Sequence, residues 1–132
     1  MSMPPRVLTA DDRQWVRQLE DWVEQLEGLL DLVKDGHTLS GAAVTEAREQ
    51  YALFKKDLHA EWKRVEALER EGKLTGFGET DYIWAIRQAA AELTLPTNSV
   101  PGPDWLSAFY HARITLTHPL SSLAPDQKSG RW

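Results

Sequence analysis

Between residues 15 and 33 apolar side chains return at alternating steps of three and four: Trp15, Val16, Leu19, Trp22, Val23, Leu26, Leu29, Leu30 and Val33. That spacing gathers them on one stripe of an α-helix and does not fit a strand, whose apolar positions alternate. Thr9 before the stripe suits a helix cap, Asp11 and Asp12 suit the electropositive first turn, and Gly36 suits a stop. The pattern predicts a first helix over about residues 10–35. A second stripe, Val44, Ala47, Tyr51, Phe54, Leu58, Trp62, Val65 and Leu68, predicts a second helix over about residues 40–71. It starts near Thr38 or Ser40 and ends before Gly72. At the helical rise the two are ~39 and ~50 Å long. The short connection between them predicts an antiparallel hairpin. Pairing Val33 with Val44 carries the register to Leu26–Tyr51, Val23–Phe54 and Leu19–Leu58, so the seam stays apolar throughout.

The stretch Gly72 to Gly78 is rich in helix breakers and reads as a helix–helix linker. Thr80 and Asp81 open a shorter helix over about 80–94 that carries Ile83, Trp84, Ile86, Ala90 and Leu93 and stops before Pro96. Residues 95–103 hold three prolines and a glycine and form a loop. Pro103 and Asp104 then suit the start of a fourth helix over about 103–117, with Leu106, Phe109, Tyr110 and Leu116. Pro119 breaks that pattern. The expectation is an all-α, four-helix-bundle-like fold: a long hairpin and two shorter helices in one domain over residues 1–118, then a flexible C-terminal tail over 119–132.

Composition narrows the function. The chain has 132 residues, enough for one continuous core, and no cysteine, which excludes disulfides and thiolate chemistry. Its apolar runs are far too short for a membrane span, and Met-Ser-Met-Pro-Pro-Arg is not a secretory start, so the expected compartment is the cytoplasm. The net charge is −5, and residues 10–36, with eight acids against three bases, account for all of it. Glu20, Glu24, Glu27 and Asp31 form a row beside the apolar seam. That row either pairs with Arg48 and Lys55 of the second helix or offers an acidic ridge to a basic partner protein. On the second helix Lys56, Lys63 and Arg70 recur every seven residues. Such a stripe can track phosphates, but Glu66–Arg70 and Glu69–Lys73 are ordinary helical pairs, and an acidic chain does not favour nucleic acid. An acidic helix also speaks against an anionic membrane.

No metal or cofactor motif is present. His59-Ala-Glu-Trp62 lacks the second histidine of a zinc helix, and Ile114 and Thr115 fill the turn between His111 and His118. One motif carries chemistry. Arg113-Ile-Thr-Leu-Thr-His118 sets an arginine and a histidine with four residues between them in the last helix of an all-α domain. In this it resembles the HEPN superfamily, whose small helical domains often act as metal-independent RNases. The resemblance implies that Arg113 holds the scissile phosphate and His118 moves protons, in a cleft at a dimer interface.

Six tryptophans imply a core or a contact surface of large rings. Trp15, Trp22 and Trp62 fall on or beside the stripes, Trp84 and Trp105 on the covering helices, and Trp132 at the end of the tail, where it can anchor in a groove of another protein. Two short helices leave much of the long seam uncovered, which a second copy of the chain can complete. The sequence therefore predicts a non-catalytic helical interaction protein, an adaptor or a homodimer, using the apolar and acidic surfaces of its hairpin. The alternatives are the RNase using Arg113 and His118, and an inhibitor whose acidic first helix occupies a nucleic-acid-binding surface.

Overall fold

The computed structural model describes residues 8–34 and 41–123. Four helices pack around one core: α1 (Ala10–Val33), α2 (Gly41–Arg70), α3 (Ile83–Glu92) and α4 (Pro103–Ser121). No strand occurs among the described residues, and none of their helices is long and apolar enough to cross a membrane. The turn between the long helices, with the expected start near Thr38 or Ser40, lies outside the described residues, as do residues 124–132 with Trp132.

α1 begins where Thr9 caps it. The Thr9 hydroxyl accepts from the Asp12 amide at 3.1 Å, and the Asp12 carboxylate accepts from the Thr9 amide at 3.1 Å, a reciprocal capping box. Its stripe is buried as the spacing requires, with Val16, Leu19, Val23, Leu26, Leu29, Leu30 and Val33 in the core. Of the eight residues on the expected α1–α2 seam only Val44 is not fully buried.

The hairpin is not the closest helix pair. α4 approaches α1 along more of its length than α2 does. Large rings stand between the hairpin helices, with Trp22 edge-on to Phe54 at 5.6 Å between centroids. Interaxial distance follows the side chains at the contact, and rings hold helices apart. Trp105 and Phe109 of α4 then reach across the core to Tyr51 of α2, at centroid distances of 4.7 and 5.2 Å.

Two elements depart from expectation. The third helical segment starts earlier than Thr80. Its first turns are helical from Gly76 and widen into a π turn over Gly78–Tyr82 before α3. Thr80 does not cap it; its hydroxyl donates to the Gly76 carbonyl at 3.0 Å. The cap comes from α1, where the buried Asp12 carboxylate accepts from the Phe77 amide at 2.9 Å. The fourth helix also does not end near 117. It runs through Pro119 to Ser121, and Pro119, Leu120 and Leu123 are buried. There the proline removes one backbone hydrogen bond of the helix, a cost that the burial of Leu120 and Leu123 offsets. The hydroxyls of Ser121 and Ser122 donate to the carbonyls of His118 and Pro119 at 2.6 and 2.9 Å. The packed domain therefore extends to residue 123, five residues into the expected tail.

Candidate functional site

On one side of the hairpin α3 and α4 cover the core; on the other lies a groove of about 480 Å³ whose lining comes only from α1 and α2. Leu29, Leu32, Leu53 and Phe54 form its apolar part. Gln25, Glu46, Gln50 and Asp57 add polar and acidic side chains. Gly28 also lines it, and a methyl group there would meet no atom within 4 Å. A glycine in the interior of a helix weakens it, and nothing inside this molecule requires one at this position.

Next to the groove, sharing Gln25, is a depression of about 230 Å³ lined also by Gln18, Asp21, Trp22, Glu61 and Arg64. Its wall is a polar joint where α1, α2 and the π turn meet. Arg64 grips the Glu61 carboxylate through Nε at 2.6 Å and Nη2 at 2.9 Å, and Nη2 also donates to Gln18 at 3.2 Å. The Tyr82 hydroxyl donates to Glu61 and accepts from the Trp22 indole N–H at 3.1 Å. The Trp15 ring packs on Tyr82 at 4.7 Å and lies under the Arg64 guanidinium at 5.5 Å. Gly78 admits this packing, because a Cβ there would lie 2.6 Å from the Trp15 indole nitrogen.

The electrostatics follow from that geometry. Burial, reinforced by the Glu61 carboxylate, pushes the Tyr82 hydroxyl far above the ordinary phenol range. Partial burial works against ionisation of Glu61, but the hydrogen bonds from Arg64 and Tyr82 and the Arg64 charge outweigh it, so its carboxyl titrates below the usual value. Every strong group here is engaged with another. The joint therefore holds three elements together.

The residues singled out by sequence are placed as follows. Arg113 and His118 do not converge. Arg113 turns towards α1, 3.6 Å from Glu27, while the His118 ring packs on Trp84 of α3 at 5.7 Å. α4 is continuous between them, and five residues on a helix set two side chains about 140° apart. Of the row Glu20, Glu24, Glu27 and Asp31, Glu27 meets α4 through Arg113. Glu20 is buried, and Asp31 is 3.8 Å from Lys34. Arg48 and Lys55 do not meet this row. They donate to the carbonyls of Ser99 and Leu95, at 2.9 and 3.3 Å, and so tie α2 to the loop before α4.

Lys56, Lys63 and Arg70 are exposed on α2, as the seven-residue spacing requires. The expected Glu66–Arg70 and Glu69–Lys73 pairs give way to a tertiary arrangement in which Arg87 of α3 lies 3.6 Å from Glu66 and 3.5 Å from Glu69, while Lys73 pairs with Glu71 at 2.9 Å. Among the described residues no three histidines or carboxylates come together to hold a metal. Trp15, Trp22 and Trp62 pack partly buried against the core, Trp105 is wholly inside it, and Trp84 is exposed.

Asp57 shares a helical face with Glu61, a pair with no third metal ligand near it in sequence; the groove residues Leu32, Leu53 and Glu46 carry no sequence motif. A signal was there: Leu32 and Leu53 stand outside the stripes that define their helices, and both line the groove. Compared with family models, curated proteins and solved structures, the chain matches none of them.

Proposed function

We propose that this protein is a non-catalytic helical interaction module that holds an amphipathic helix of a partner protein in the groove between α1 and α2. One observation carries the reading: the groove combines exposed leucine surface with acidic side chains on a side of the hairpin that the described helices α3 and α4 leave uncovered. Leu32, Leu53 and Phe54 suit the apolar face of a docked helix, a mode read as anchors at i, i+3, i+4 and i+7. Glu46 and Asp57, with Asp21 at the adjoining depression, suit lysines or arginines on the flanks of that helix. The one base in the depression's lining, Arg64, is already held by Glu61. Gly28 leaves room for close approach.

The test is direct binding. A fluorescent synthetic helix of roughly 20 residues, with leucines on one face and lysines flanking them, should bind saturably in an anisotropy titration. Leu53→Lys, which removes apolar surface and offsets part of the local negative charge, should weaken binding at least about tenfold, as should replacing the lysines of the peptide with glutamates. Binding that is absent in the wild type, or unchanged in Leu53→Lys, would remove the proposal.

A further inference from the structure

A second surface lies on elements that take no part in the groove. Three of the large hydrophobic side chains that the fold leaves exposed stand together on α3 and α4: Ile114 is 62% exposed, Tyr110 52% and Trp84 43%. Tyr110, Ile114 and His118 follow at i, i+4 and i+8, so they form one line along α4, and the Trp84 ring extends it through its contact with His118. From Ser107 to Ser121 the exposed positions of α4 are Ser107, Tyr110, His111, Ile114, His118 and Ser121. Neither a carboxylate nor a lysine or arginine is among them. The cations beside the line are paired with carboxylates of other helices, Arg113 with Glu27 and Arg87 with Glu66 and Glu69.

We infer that this face is where a second copy of the chain binds, through antiparallel contact of the two α4 helices centred on Ile114. Charge selects the occupant. Two copies that each carry −5 repel, and they meet most readily where the surface has no charge. A basic or acidic partner, by contrast, finds no carboxylate, lysine or arginine on the line itself. Spacing selects the geometry. Tyr110 and His118 each lie four residues, about 6 Å along the axis, from Ile114. A twofold axis at Ile114 therefore brings Tyr110 against the partner subunit's His118 at both ends, which is the self-complementarity that an isologous interface requires.

The groove and this face share no element, so the dimer would present two open grooves, and a bivalent target would gain from effective concentration. The dimer does not depend on the groove, and its test uses no peptide.

Sedimentation equilibrium of the full chain at tens of micromolar should show a dimer. Ile114→Glu should weaken it at least about tenfold without changing the circular dichroism spectrum, and Tyr110→Glu should do the same should the first variant fold poorly. Because the chain has no cysteine, Ile114→Cys supplies a clean probe: mild oxidation should link two copies through that position, and Leu53→Cys in the groove should not cross-link. A wild type that stays monomeric at these concentrations would overturn the inference. So would a dimer that both α4 variants leave intact, or cross-linking at Leu53→Cys in place of Ile114→Cys.

Discussion

Gly28 and Gly78 both sit inside helical stretches, and their surroundings give them opposite roles. A Cβ at Gly78 would collide with the Trp15 indole, so only glycine lets the π turn close on α1. Gly76, two residues earlier, has φ +54°, in the left-handed region, and lies against the Asp12 carboxylate. Gly28 has neither constraint. Its cost to the helix is not repaid by packing, so Gly28→Ala should raise stability by about 0.5–1 kcal/mol in a denaturant titration. A larger apolar residue at the same position should obstruct the peptide binding tested above while the fold stays at least as stable. The one-dimensional sequence does not reveal these roles. Gly76 and Gly78 stand in a breaker-rich stretch that reads as a loop, and their partners, Asp12 and Trp15, are more than sixty residues away.

The joint of Tyr82, Glu61 and Arg64 shows how elements are locked together. Tyr82→Phe should cost about 1–3 kcal/mol, because it leaves the Trp22 N–H without its acceptor and removes a donor from Glu61. The joint also sets a pH dependence. The Tyr82 hydroxyl is raised above the ordinary value of 10.0, so its contribution is complete below pH 10 and is lost as the pH rises further, since only the unfolded chain ionises readily there. Tyr51, pushed up to about 12 by burial, acts in the same direction. The alkaline limb of a stability–pH curve should therefore become shallower in Tyr82→Phe without vanishing. Glu61 works at the opposite end: its lowered value adds stability above about 4.5 that is lost as the pH falls through the folded value. The two long helices were legible because their stripes are long and regular. The start of the third segment was not, because its cap is supplied by Asp12 from α1 and local capping rules cannot see across 65 residues.

At the scale of the whole molecule, the packed domain reaches beyond the proline that looked like its end. Leu120 is 2% exposed, so Leu120→Ala should cost about 2–5 kcal/mol, measured as a lower denaturation midpoint with an unchanged slope. A truly loose tail would show almost no change. The groove was half legible. Leu32 and Leu53 widen the apolar faces beyond what the seam uses, but which flank stays open depends on where α3 and α4 settle. The Arg113–His118 spacing was visible as well, yet an unbroken helix turns the two side chains towards different neighbours. What the sequence determined by itself was the all-helical class, the two long stripes and the buried seam, because helical periodicity is a local property repeated over many residues. The tertiary structure alone decided that α1 lies closest to α4, that Arg48 and Lys55 secure a loop in place of the acidic row, and that Arg87 draws Glu66 and Glu69 away from their helical neighbours. Long charged side chains have many partners within reach, and ring sizes set how closely helices meet. Both are settled only when distant segments come together.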